Sequence, residues 1–411
     1  MKISRFQRTV VSSSLAAGLF AAGALRSDAA SQQPFFLHNG DTVVFYGDSI
    51  TEQQMYPRDI ETFVDTRFPK MHVKFINSGW SGDRVTGGGG GGIDLRLKRD
   101  VINYKPTVVT IFLGMNDGAY TKYDENTFQT YKNGLIHIID SLKASLPGVR
   151  ISLLTPSYYD RNVKKWGSAD YNATLVVYTD FVKHYAFTHN IPVADENEAL
   201  SSAIIEGEKT DPNFAVSGDG VHPDEVGHLI MAAAVLNSWN APPIAQDLVL
   251  QEGVPTTVTS PLPWPFPDSA RKALDVSFLP KDLDVFQVSL PTPKNFTPAD
   301  ADAKYGLYVD GTFISTVPAN ADGSVTVDLN QFPNLPQEKQ AQTVLGLVEK
   351  RVDLWHGFWQ NRGIDFVSPK DVPTEAELRK LSDENKSLDT LRDDAHNASQ
   401  PLPHTFLLKK M

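Results

Sequence analysis

The chain of 411 residues has no cysteine, which excludes disulfides, thiol nucleophiles and cysteine metal sites. No His-Glu-x-x-His helix is present, so the common zinc-hydrolase signature is missing. There is no Gly-x-Ser-x-Gly elbow, which argues against the classical α/β-hydrolase fold. Positive charge is scarce: 38 Lys and Arg face 49 Asp and Glu, and a net charge of −11 makes a nucleic-acid backbone an unsuitable partner. The glycine run Gly87–Gly92 lacks the Gly-Lys-Ser/Thr ending of a phosphate loop, so it is not a nucleotide site of that type. It reads instead as a flexible or close-packed loop, or as a plain linker into a helix from Ile93.

Long apolar runs are missing except near the N-terminus, where the stretch from about Val10 to Leu25 is short for a membrane span. Lys2, Arg5 and Arg8 precede it, and the small pair Ala29-Ala30 follows it. That order predicts a secretory signal over residues 1–30, removed near residue 30. The expectation is a secreted or periplasmic protein with no stable membrane insertion after removal.

From Asp41 onward, strand and helix patterns alternate. Thr42–Tyr46, His72–Asn77, Thr107–Leu113, Arg150–Thr155 and Ile191–Ala194 read as strands. Helices are predicted over Tyr56–Phe68, Thr127–Leu146, Tyr171–His189 and Glu225–Trp239. Strands separated by helices imply an α/β fold with a parallel sheet covered on both faces. Ligands of such sheets bind beyond the carboxyl ends of the strands. Ser49, Gly82 and Asn116 each follow one of the first three strands, so the pattern alone gathers them at one edge.

Ser49 in Gly47-Asp48-Ser49 is a candidate nucleophile, although a serine there also suits a helix cap. Asp219-Gly220-Val221-His222-Pro223 offers a base and an acid three residues apart, a spacing at which a tight turn brings the carboxylate to one imidazole nitrogen. An aspartate before glycine also suits a plain turn. Gly82 and Gly79 compete as backbone donors to a developing oxyanion, and the side-chain amide of Asn116 is a third donor. Asp48 and Asp117 read as structural carboxylates rather than a glycosidase pair, and His228 reads as structural. Arg84, Tyr158 and Trp166 lie in loops at the same edge and are possible substrate contacts.

In their order, Gly47-Asp48-Ser49, Gly82, Gly114-Met115-Asn116-Asp117 and Asp219-Gly220-Val221-His222 resemble the blocks of the SGNH hydrolases, the GDSL-like esterases and lipases. The resemblance spans roughly residues 38 to 240. It implies a three-layer, flavodoxin-like parallel sheet, with Ser49, Asp219 and His222 as triad. Ser49, Gly82 and Asn116 would then form the oxyanion hole, Gly82 being preferred over Gly79. It also implies an acyl-enzyme route with no metal or organic cofactor.

After Pro242-Pro243 the composition changes. A proline-rich stretch carries Trp264 and Phe266, and short strands follow from about residue 274 to 330. Asp310-Gly311 and Asp322-Gly323 are hairpin signals. A helix is predicted over Glu338–Gln360 with a stripe of Val344, Val348, Val352, Trp355 and Trp359. Thr374-x-x-Glu377 reads as a capping box opening another helix to about Ala395. The expected organisation is a catalytic domain over 31–245, a β-rich accessory region over 246–335 and a helical region over 336–411. The leading expectation is a secreted serine esterase whose partner is an ester substrate, an acetylated saccharide by preference. A lipid esterase of lipase or lysophospholipase type and an inactive carbohydrate-binding protein are the alternatives. Oligomeric state stays open.

Overall fold

The fold begins with Thr42–Gly47 (β1), whose apolar run is buried almost from end to end, as a strand covered on both faces must be. The structure is a computed structural model and describes residues 34–163, 167–242, 244–265, 267, 270, 284–365 and 375–411. The expected signal segment 1–30, Trp166, Phe266, the stretch 274–283 and Thr374 lie outside the described residues.

After β1 come Lys74–Gly79 (β2), Val108–Phe112 (β3), Arg150–Leu154 (β4) and Val193–Ala194 (β5). Their order in the sheet is β2-β1-β3-β4-β5, and every pairing is parallel. This is the flavodoxin-like order. The chain reverses direction across the sheet next to β1, which opens a crevice beyond the carboxyl ends of β1 and β3.

Helices Ser49–Glu52 (α1), Met55–Arg67 (α2), Ile93–Asp100 (α3), Glu125–Ser145 (α4), Tyr171–His189 (α5), Glu196–Gly207 (α6) and Glu225–Ser238 (α7) follow the strands. Two apolar clusters occupy the two faces of the sheet. One joins Phe45, Tyr56, Phe63 and Phe112 to Leu229, Leu236 and Trp239 of the last helix. The other joins Val44, Tyr46 and Ile111 to Leu135, Ile138, Ile139 and Tyr178. Strand and helix bounds agree with the sequence pattern within three residues. Helix α6 was not predicted, although Asp195 caps it by accepting from the Glu198 N–H at 3.2 Å.

The second half forms two small sheets from Ile244–Val249 (β6), Thr256–Thr259 (β7), Asp284–Leu290 (β8), Lys304–Val309 (β9), Thr312–Pro318 (β10), Val325–Asp328 (β11) and Pro403–Lys410 (β12). One sheet has the order β11-β8-β6 and the other β10-β9-β12-β7. They share a core of Phe286, Val288, Leu307, Val325, Phe406 and Leu408. Asp310-Gly311 makes the expected hairpin, with φ of 50° and 77° at its two central residues. The second Asp-Gly signal is corrected: β11 pairs with β8 rather than β10, so that turn carries the chain between sheets.

Pro336–Asp365 (α8) and Glu375–Ala398 (α9) pack on one another, and α8 also packs on α2. Val344, Val348, Val352 and Trp355 are buried as their stripe predicts; the side chain of Trp359 lies outside the described residues. The expected helical region 336–411 is also corrected. It ends in β12, an interior strand of the four-stranded sheet, so it is interleaved with the β-rich region rather than following it. Residues 35–411 form one compact unit.

Candidate active site

Ser49 is the first residue of α1, directly beyond the end of β1. The bend between them depends on Gly47, where a Cβ would lie 2.1 Å from Thr51 Oγ1 and 2.8 Å from the Phe112 carbonyl oxygen. Asp48 caps the helix by accepting from the Ile50 N–H at 3.0 Å. The N–H of Ser49, in the first turn, has no partner within its own helix and is available to a ligand.

The second block sits at the end of a loop held on both sides. Ser217 and Pro223 form an isolated antiparallel bridge, the Gly220 N–H donates to Ser217 Oγ at 2.8 Å, and Asp224 caps α7 through the Val226 and Gly227 N–H groups. Gly220 adopts φ 78°, which closes the turn between Asp219 and His222. His222 Nδ1 lies 2.8 Å from Asp219 Oδ2, and His222 Nε2 lies 2.8 Å from Ser49 Oγ. The carboxylate can only accept, so Nδ1 carries the proton and Nε2 is free to receive the serine's. Asp219 Oδ1 accepts from the N–H groups of Val221 and His222, each at 2.8 Å. Burial opposes ionisation of Asp219, but the hydrogen bonds from the His222 backbone and ring and from Val221, with the charge of His222, hold its carboxyl far below the usual range.

Gly82 and Gly79 part company in the structure. Gly79 ends β2 with its Cα pressed on α1, where a Cβ would lie 2.2 Å from the Glu52 nitrogen. Gly82 has φ 75°, open space on its Cβ side, and an N–H that makes no hydrogen bond among the described residues. Gly82 is therefore the glycine with a donor to spare. The next residue, Asp83, is anchored through buried Arg96: Arg96 Nε donates to Asp83 Oδ2 at 2.6 Å, Nη1 to Asp100 Oδ2, and Nη2 to the Ser78 carbonyl at 2.9 Å. The glycine run is close-packed on this cluster. It forms a two-rung ladder, Gly87 with Gly92 and Gly88 with Gly91. A Cβ on Gly88 would lie 2.6 Å from Asp83 Oδ1, and one on Gly90 2.7 Å from Trp80.

Asn116 follows β3 and reaches across to both loops. Its Nδ2 donates to the Asp83 carbonyl at 3.1 Å and to Asp48 Oδ2 at 3.3 Å. Tyr120 Oη donates to its Oδ1 at 3.1 Å. Asp117 Oδ1 accepts from the Val85 N–H at 2.9 Å. Burial pushes the Asp117 carboxyl up to about 7 and that of Asp48 up to about 8, with neighbouring acids adding to each. Asp48 binds helix backbone and Asp117 loop backbone beside the site. His228 is buried between α2 and α7. Its Nδ1 accepts from the Tyr56 N–H at 3.3 Å and its Nε2 faces Gln53 Oε1 at 3.1 Å, and burial pushes it down to about 3, so it stays neutral.

Arg84 is exposed, and its charge is felt at Asp117 and Tyr120. Tyr158 instead packs against the core beside Tyr159. The loop that carries it touches the histidine loop through the Asp160 N–H, which donates to the Gly220 carbonyl at 2.9 Å. Sequence reasoning missed two features here, Tyr120 and the buried Asp83–Arg96–Asp100 cluster. Neither belongs to a short motif; the only signal for Tyr120 was its place four residues after Asn116. Among the described residues, no group of three or more His, Asp or Glu is arranged to hold a metal ion.

Comparison with known proteins agrees with this geometry. Residues 45–230 match the model of the GDSL-like Lipase/Acylhydrolase family. An acetylxylan esterase of Geobacillus stearothermophilus is 26% identical over 220 residues, covering 48% of this chain and 93% of that protein. A solved structure described as a gut microbial diltiazem-metabolizing enzyme superposes with a TM-score of 0.71 at 20% identity, over 91% of this chain and 98% of its own. That breadth shows that the sheets and helices after residue 244 recur with the catalytic fold as one architecture. Residues 45–230 thus carry a GDSL-like acylhydrolase domain of the SGNH type, and this match together with the acetylxylan esterase relative supports a carboxylic ester hydrolase.

Proposed function

We propose that the protein is a secreted serine esterase that removes acetyl groups from a carbohydrate. The observation that carries the mechanism is the continuous relay of Ser49 Oγ, His222 Nε2, His222 Nδ1 and Asp219 Oδ2, with 2.8 Å at each of its two hydrogen bonds. Ser49 Oγ attacks the ester carbonyl as His222 Nε2 takes its proton. Asp219 fixes the tautomer and stabilises the imidazolium. The oxyanion is received by the N–H groups of Ser49 and Gly82 and by Asn116 Nδ2, whose second hydrogen exchanges its 3.3 Å contact with Asp48 Oδ2 for the oxyanion. Collapse of the tetrahedral intermediate expels the alcohol, which takes the proton from His222. Water then attacks the acyl-serine with His222 as base and releases the acid.

Three observations support the acetyl-sugar assignment. The relative named an acetylxylan esterase aligns over 93% of its length. The groups around the relay (Asn116, Tyr120, Asp48 and exposed Arg84) are polar. The relay itself is open, with the His222 and Asp219 side chains 35% and 46% exposed, which suits a small acyl group on a bulky polar alcohol.

The test is hydrolysis of p-nitrophenyl acetate, butyrate and octanoate, and of acetylated xylo-oligosaccharide, by wild type and Ser49→Ala. Loss of a triad serine lowers turnover by about 10⁶, so genuine activity falls to background. Acetate preference together with acetate release from the saccharide supports the assignment. Octanoate preference overturns it in favour of a lipid esterase, and turnover that survives Ser49→Ala overturns the mechanism.

A further inference from the structure

We propose that Tyr120 is a positioning residue of the oxyanion hole: its hydroxyl holds Asn116 Oδ1 and so keeps the amide nitrogen on the side of Asp48 and Asp83, from which it serves as the oxyanion donor. The proposal rests on the serine-esterase reading above.

An asparagine amide has two orientations that differ by half a turn, and they exchange a donor for an acceptor at the same point. Only one serves an oxyanion; the other presents a carbonyl dipole that repels it. The surroundings of Asn116 decide between them. One end of the amide faces the Asp83 carbonyl at 3.1 Å, which can only accept, so Nδ2 belongs there. The other end faces Tyr120 Oη at 3.1 Å, and a hydroxyl in that place donates to Oδ1. Turning the amide over would set two carbonyl oxygens against each other and leave the tyrosine proton without its acceptor. Donation to Oδ1 also draws charge from the amide and makes its N–H bonds better donors.

Two further observations place Tyr120 in the site by design of the fold. First, Ala119 and Tyr120 are consecutive non-glycine residues with φ of 52° and 59°. Such a conformation is strained for an L-residue and persists where packing holds it, characteristically at functional sites. Here the Tyr120 ring lies 5.0 Å from Tyr171 and 6.2 Å from Tyr159, and its carbonyl accepts from the Ser168 N–H at 2.8 Å. Gly118 is flush against the same cluster, where a Cβ would lie 2.7 Å from the Tyr171 ring. Second, burial and the charges of Asp48 and Asp219 raise the hydroxyl above its ordinary range. It therefore keeps its proton, and remains a donor, throughout the working range of a histidine base.

A double-mutant cycle tests this. Tyr120→Phe keeps the ring and its packing and removes only the donor. In wild type it should lower kcat on p-nitrophenyl acetate about 10-fold, a part of the 10²–10³ that loss of a whole oxyanion donor costs, with KM within about twofold. In an Asn116→Ala background the same substitution should change kcat by less than about twofold, because the group it positions is gone. The rate of inactivation by an organophosphonate, whose adduct also places an oxygen in the hole, should fall in parallel in the single variant and not further in the double. Equal losses in both backgrounds, a change in KM alone, or no loss at all with serine-dependent turnover intact would each overturn the role of Tyr120. Turnover that survives Ser49→Ala would overturn the esterase reading along with it.

Discussion

The central sheet and the pair of small sheets after residue 244 are assembled in opposite ways. In the central sheet, strands are joined by helices, all pairs are parallel, and the residues that follow β1, β2 and β3 arrive together at one edge. In the second region, strands find partners far away: β12 pairs with β9 and with β7, and Thr257 meets Thr405 across 148 residues. The first region holds all five proposed catalytic and oxyanion residues. The second holds none, yet it braces the first. From α8, Trp355 Nε1 donates to the Asn77 carbonyl at 2.8 Å, Arg351 pairs with buried Glu61, and His356 lies 3.5 Å from Glu52 on the nucleophile's own helix. Asn77 in turn donates to the Thr51 carbonyl at 2.6 Å. The difference teaches a division of labour: local connectivity builds the site, and long-range packing stiffens it from behind.

That division can be broken most severely at β12. Removing residues 403–411 takes an interior strand and the buried Phe406 and Leu408 from the four-stranded sheet. The expected outcome is loss of the folded β-rich region, read as rapid proteolytic cleavage within 244–335; an unchanged cleavage pattern and melting temperature would refute the interleaving. Next is Arg96→Met on the catalytic side. It strands Asp83 without its buried partner, and loss of one member of a buried pair costs about 3–5 kcal/mol. Denaturant unfolding measures this, and a loss below about 1 kcal/mol would mean that water reaches Asp83.

Trp355 sharpens the bracing. Trp355→Ala removes a large, mostly buried ring, for which about 3 kcal/mol is expected, whereas Trp355→Phe removes chiefly one hydrogen bond, about 1 kcal/mol. If α8 steadies the nucleophile helix, the alanine variant also loses kcat well below its melting temperature. Full activity there would reduce α8 to a cover for the edge of β2. A pH-dependent test belongs to Asp48. Its carboxyl, raised from 3.8 to about 8, binds a proton in the folded state that the unfolded chain has released. Its contribution to stability is complete below the unfolded value and is lost as pH rises toward about 8. The melting temperature of wild type relative to Asp48→Asn should therefore fall between pH 5 and about 8 and then level off. A constant difference would show that Asp48 is already ionised.

The same contrast explains what the sequence disclosed. Strands β1, β3 and β4 were legible because burial on both faces demands near-continuous apolar runs, and β2 by its alternation; Ser49, Gly82 and Asn116 were legible because each follows one of the first three strands, and Asp219 and His222 because of their spacing in one tight turn. Gly79 and Gly82 could not be told apart from the residues alone, since both permit close approach; only the conformation separates a glycine pressed on a helix from one with a free N–H. Tyr120 was hidden because its function depends on a left-handed loop. In the second region, Asp322-Gly323 has the same local chemistry as Asp310-Gly311, yet one joins two sheets and the other makes a hairpin. No local pattern distinguishes them, since the partner of each strand is set by packing more distant than a turn can sense. Strand β12 was lost inside a predicted helical region for the same reason.

The placement of β12 also bears on how the chain is made. The strands that flank it, β7 and β9, are synthesised long before it, and each keeps a row of unsatisfied N–H and C=O groups until it arrives. The parallel sheet faces no such wait, because its strands come off the ribosome in near succession. The period of exposure during biosynthesis therefore falls on the bracing region, and open strand edges in that interval invite pairing with other nascent chains. Aggregation on overexpression should begin there, and a lower expression level, which keeps nascent chains apart, should relieve it without any change to the site.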